Sequence, residues 1–169
     1  SLTLPNSTTG TPINVRFLTT ADTIDKDTNA PTGANISFAA APVTPIATNL
    51  ADVETVISPI TDIVANLIDT GLTEAEAEQE TLEALGLDVA TVGGTVEIDL
   101  KTFNPFEENI VASSSLDEAT VAKVAAVGAQ IFSMVHTASE AASAAGLDKA
   151  EAVAAAINSL SDQIAENVN

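Results

Sequence analysis

The side chains best suited to chemistry in this chain lie in the stretch DTIDKDTNAP, Asp22 to Pro31. Asp25, Asp27 and Asn29 fall at alternating positions, and Asp22 adds a further oxygen donor upstream. Short carboxylates and amides spaced in this way can crowd oxygens around one cation, and calcium takes about six to eight of them. The spacing therefore predicts a calcium site made by Asp22, Asp25, Asp27 and Asn29. It departs from the twelve-residue calcium loop in two places. Ala30 stands where the sharp turn takes glycine, and Ile36 stands where a bidentate glutamate closes the shell. The alternative is a solvated turn between two strands.

Other reactive groups give weaker patterns. Glu74, Glu76, Glu78, Glu80 and Glu83 crowd one predicted helix. They read as a solvent-facing surface with negative charge favourably near the helix N-terminus, the alternative being a diffuse cation-binding face. His136 is the only histidine, with Ser133 and Ser139 nearby, but no G-x-S-x-G elbow presents a nucleophile. The absence of Trp and Tyr removes the aromatic platforms usual in sugar-cleaving sites, and no phosphate-loop or dinucleotide fingerprint is present. Asn6-Ser7-Thr8 and Asn35-Ile36-Ser37 match the glycosylation sequon, a short pattern that also arises by chance. No enzymatic activity is expected.

Charge narrows the partners. With 24 acidic and 5 basic residues the chain carries a net charge of −19, which repels nucleic-acid phosphates and anionic membranes. Divalent cations, basic proteins or a salty medium that screens self-repulsion suit it better. Cysteine is absent, so disulfides and thiolate metal sites are excluded. No uninterrupted apolar run reaches the roughly 18 residues of a membrane span, so no membrane insertion is expected. The start at Ser1 reads as a processed or trimmed end, with no signal peptide in view.

The elements that would position these groups follow from periodicity. Ile13, Val15 and Phe17 alternate with polar residues, as do Ile36, Phe38 and Ala40, which predicts two half-buried strands around the Asp22–Gly33 turn. Leu50, Val53, Val56 and Ile57 suggest a short helix. Ser58 with Pro59 opens a helix that Gly71 stops, and Thr73 with Glu76 opens another that Gly86 stops. Val96, Ile98 and Leu100 suggest a short strand or extended link. Ser115 with Glu118 opens a helix over about 116–145. Asp148 with Glu151 opens the last, striped by Val153, Ile157, Leu160, Ile164 and Val168. The fold class expected is α+β: a small N-terminal β part over 1–48, then an antiparallel Ala-rich helical bundle over 49–169.

The segments ISPITDI (Ile57–Ile63), GLTEA (Gly71–Ala75), ALGL (Ala84–Leu87) and DLKTFNP (Asp99–Pro105) together resemble a helical module of very large bacterial extracellular proteins, among them cadherin-like and RTX-type calcium-dependent adhesins. The phrase DKDTNAP likewise looks like a cadherin calcium linker. The chain differs in a longer link, Val89–Thr95, between ALGLD and VEIDL. The resemblance implies extracellular placement and a structural or adhesive role with protein partners. Two alternatives stand beside it. One is a self-assembling filament subunit, in which Leu2 and Leu4 of an N-terminal strand dock on a neighbour's sheet edge. The other is a secreted calcium- or cation-binding protein.

Overall fold

Alternation of side chains produces the first strands, and the helices decide which of them is covered. β1 (Arg16–Leu18) pairs antiparallel with β2 (Ser37–Ala39), with Phe17 opposite Phe38. A computed structural model of the chain describes residues 15–24, 36–40, 42, 55–87, 89–91, 94–96, 98–107, 111–112 and 116–167. On β2 the expected burial holds, for Ile36, Phe38 and Ala40 are all enclosed. β1 differs: its three residues are exposed, because it is the outer strand of the ribbon and the helices pack on β2.

α1 (Pro59–Asp69) starts at the predicted place. The Ser58 hydroxyl accepts the Thr61 N–H at 3.1 Å, while Thr61 Oγ1 accepts the Ser58 N–H at 2.9 Å. Two of the helix's unpaired N-terminal donors are thereby satisfied. The helix expected across Leu50–Ile57 does not reach Thr55–Ile57, which is irregular. There the Val56 N–H donates to the Lys101 carbonyl at 2.7 Å, a long-range bond that competes with helix formation. Residues 50–54 lie outside the described part.

α2 (Glu74–Ala84) carries the predicted Thr73–Glu76 capping box. A second hairpin follows, β3 (Val89–Thr91) paired antiparallel with β4 (Gly94–Val96). Ile98 and Leu100 are buried but follow the strand rather than extend it. The Phe103 N–H then bonds the Asp99 carbonyl at 2.8 Å and turns the chain.

α3 (Glu118–Ala144) begins two residues later than expected and is capped by Asp117, whose Oδ1 accepts the Thr120 N–H at 2.7 Å. The anticipated cap, Ser115, lies outside the described residues. α4 (Lys149–Asn167) follows the short turn Ala145–Asp148, with Asp148 Oδ1 accepting the Glu151 N–H at 3.0 Å as expected. Val153, Ile157 and Ile164 of its predicted stripe are buried, Leu160 is half-buried, and Val168 lies outside the description.

These pieces share one core. α1 sits in its middle, touching α2, α3, α4 and β2, and is buried on most sides through Ile60, Ile63, Val64 and Leu67. α3 contributes a narrow stripe, Val124, Ile131 and Val135, and lies mainly along α4. Each of these aliphatic side chains is worth about 1.5–3 kcal/mol of transfer free energy when fully buried. The observed architecture is thus a small N-terminal β ribbon followed by a mostly helical bundle, as the periodicity predicts.

Candidate functional site

The two edges of the first ribbon are treated in opposite ways. The Thr19 N–H bonds the Ile36 carbonyl at 2.8 Å and the Ala40 N–H bonds the Val15 carbonyl at 2.9 Å, so the odd-numbered residues of β1 face β2. On the far edge of β2 the backbone of Ala39 is closed by α1. Thr61 Oγ1 donates to the Ala39 carbonyl at 2.8 Å, and the Ala39 N–H faces the Asp62 carboxylate and lowers its pKa. Among the described residues, none covers the far edge of β1 in this way. The N–H and C=O groups of Arg16 and Leu18 point outward, and among the described residues they have no backbone partner. Phe17 (44% exposed) and Leu18 (56%) put apolar side chains at this edge, and Ile24 (51%) is exposed in the turn that follows.

Closing the inner edge places a carboxylate in the interior. Asp62 is buried and its pKa is pushed up to about 6, chiefly by loss of water, against the opposing pull of Arg16 and the Ala39 N–H. Arg16 Nη1 stands 4.0 Å from Asp62 Oδ1, the limit of an ion pair and too far for a hydrogen bond. Oδ1 is sealed from solvent and has no donor among the described residues. Beside it a cleft of about 190 Å³ runs between Arg16, Asp62, Asn66 and Asn158.

A second carboxylate, half-buried, sits on α2. Glu78 of α2 is pushed up to about 7, first by burial and then by the charges of Asp99 and Glu74; Lys101 and the Leu100 N–H pull the other way. Lys101 Nζ lies 2.5 Å from Glu74 Oε1, and that pairing raises the lysine's pKa. Both carboxylates face backbone amides of a neighbouring segment, Asp62 that of Ala39 and Glu78 that of Leu100, and each amide lowers the carboxylate's pKa.

The residues predicted from sequence to do chemistry are placed differently. Asp22 is exposed in the turn that follows β1. Asp25, Asp27 and Asn29 lie outside the described residues, and no group of three or more His, Cys, Asp or Glu side chains capable of holding a metal ion occurs among the described ones. His136 packs on Phe132, with ring centroids 6.0 Å apart. The buried Ser139 hydroxyl donates to the backbone carbonyl of His136, not to its ring. Of the acidic helix, Glu76 serves the cap and Glu78 is half-buried, so the purely solvent-facing expectation fails at Glu78. The raised acids were missed because sequence gives no depth. The available signal was that α1 is apolar nearly all round, which obliges Asp62 and Asn66 to face something.

α3 qualifies as long and apolar enough to cross a membrane by length and composition, with a mean hydropathy of 1.2 over its best window. Counting uninterrupted apolar runs missed this, because its Ser, Thr, Gln and Gly residues interrupt the run without lowering the average much. Its stripe of Val124, Ile131 and Val135 is used in the bundle core.

No known protein family, curated protein or solved structure matches the chain.

Proposed function

We propose that this chain is a non-enzymatic, extracellular structural and adhesive module of a bacterial surface or matrix protein, acting through protein partners. The observation that carries this is the use made of the residues that bear the resemblance. Ser58 caps α1, Thr73 caps α2, Gly86 turns the chain at the end of α2, and Asp99 turns it again before Phe103. Each motif residue frames the bundle. The buried Ser139 hydroxyl is bonded into that frame as well, to the His136 carbonyl, and the Asp62 and Glu78 carboxylates lie against the backbone amides of Ala39 and Leu100. Antibody labelling of intact source cells tests the placement. Signal on unpermeabilised cells is expected, and signal that appears only after lysis overturns the reading.

Calcium is the second element of the proposal, favoured by the exposed position of Asp22 at the start of its turn. Millimolar calcium then raises the melting temperature by mass action, and Asp27→Ala removes the rise. Unchanged melting of the unmodified chain in calcium rejects the site.

A further inference from the structure

We propose that β1 is a homophilic edge: two copies of the chain join β1 to β1 about a two-fold axis at Phe17, giving a four-stranded sheet in the order β2-β1-β1-β2. The proposal rests on the adhesive reading above, to which it adds the partner. A sheet edge with unpaired backbone groups is a template for another strand, and soluble proteins usually blunt it with charge, proline, a bulge or a covering element. Here the chain covers one edge of the ribbon with Thr61 and Asp62, whereas among the described residues nothing pairs with the other, where Phe17 and Leu18 are exposed.

The register is compatible with self-pairing. The outward-facing backbone groups belong to Arg16 and Leu18, the residues on either side of Phe17. In an antiparallel pair centred on Phe17, Arg16 of each copy stands opposite Leu18 of the other. Each such pair exchanges two N–H to C=O bonds, as antiparallel geometry requires of residues that face one another. Phe17 then meets its own copy in the closely spaced, non-hydrogen-bonded position, where aromatic cross-strand pairs stabilise a sheet. A register shifted by one residue would set outward groups against inward ones and lose these bonds.

Charge favours the same strip. The chain carries a net charge of −19, yet no acidic residue occurs before Asp22, and Arg16 lies within β1. Two copies meeting here bring together the segment that adds nothing to their mutual repulsion. The symmetric contact closes on itself, so it yields dimers and not filaments.

Analytical ultracentrifugation of the full chain across a concentration series, in high salt to screen the remaining charge, tests this with three variants. Wild type is expected to form dimers that go no further. Leu18→Pro removes an outward N–H that the β1–β2 ladder does not use, and Phe17→Lys sets like charges across the axis. Each should weaken the dimer by about tenfold or more with the melting curve unchanged. Deletion of residues 1–9 should leave the dimer intact. A wild type that stays monomeric at millimolar concentration overturns the proposal, as does a dimer indifferent to both substitutions. Loss of association on deleting 1–9 overturns it in favour of the N-terminal segment as the strand that docks. None of these outcomes bears on cell-surface labelling, so the two ideas fail separately.

Discussion

The ends of α2 and α3 carry almost the same sequence, Ala-Leu-Gly-Leu-Asp at 84–88 and Ala-Ala-Gly-Leu-Asp at 144–148. Both fold alike locally. Gly86 and Gly146 take left-handed φ values of 64° and 75°, the Leu87 N–H reaches the Leu82 carbonyl at 2.7 Å, and the Leu147 N–H reaches the Ala142 carbonyl at 2.9 Å. This is the bonding by which a helix end satisfies its last carbonyls. Their surroundings differ. Leu87 is 1% exposed and belongs to the core, whereas Leu147 is 67% exposed. Lys123 of α3 also donates to the Gly86 carbonyl, placing a cation at the C-terminus of α2, while α3 ends facing water. One turn motif thus serves as a core anchor in one place and as a bare connector in the other. Local sequence sets the turn, and the neighbours set its worth.

The sharpest test of that contrast is a matched pair of truncations. Leu87→Ala should destabilise the chain by about 2–4 kcal/mol through lost transfer energy and a residual cavity. Leu147→Ala should stay within about 0.5 kcal/mol, as surface changes do. Urea unfolding of the two proteins compares them directly, and similar costs would erase the distinction.

The glycines should behave alike. Gly86→Ala and Gly146→Ala each force a Cβ into left-handed backbone, at about 1–2 kcal/mol. An added Cβ meets nothing within 4 Å at Gly146 and only the Lys123 Nζ, at 3.6 Å, at Gly86. A gap between the two variants well above about 1 kcal/mol would mean that the turns are not locally equivalent.

The same two helices differ in their acids. Glu78 of α2 has its pKa raised from 4.5 to about 7, so the folded chain holds more protons than the unfolded chain between those values. Stability therefore rises as pH falls through that window and is lost as pH rises through it. Asp62, raised from 3.8 to about 6, acts in the same direction slightly lower. On α3, Glu140 is exposed and pairs with Lys149 at 2.5 Å, which lowers its pKa, so its small contribution is lost only in acid. Glu78→Gln should flatten the rise in melting temperature from pH 7.5 to 5. At pH 7.5 it should stabilise the chain by about 1 kcal/mol, after discounting for the side that faces solvent. Parallel melting profiles for wild type and variant would show that Glu78 titrates normally.

The smallest effect belongs to that surface pair. Lys149→Ala should cost about 0.5 kcal/mol or less, falling toward zero in high salt. A larger, salt-independent loss in thermal melts would place Lys149 in the packing.

Much of the frame was legible beforehand because caps and turns are local. Ser58, Thr73, Asp148 and the three stopping glycines each act within a few residues of themselves, so spacing is enough to find them. The short helix expected up to Ile57 failed for a non-local reason, the bond from Val56 to Lys101. The candidate site was half legible. Alternation at 13–17 and 36–40 gave two strands, of which Ile13 lies outside the described residues, but not which strand would be exposed.

Sequence by itself determined the bundle's elements, the absence of cysteine chemistry and the strongly acidic surface, since these depend on composition and on periods of two and 3.6 residues. Only the tertiary structure decided that Thr61 and Asp62 close one edge of the ribbon, that the three residues of β1 stay exposed, and that Leu87 is enclosed while Leu147 is bare. The reason is physical: burial is a property of contacts between segments far apart in the chain, and identical local patterns carry no record of what packs against them.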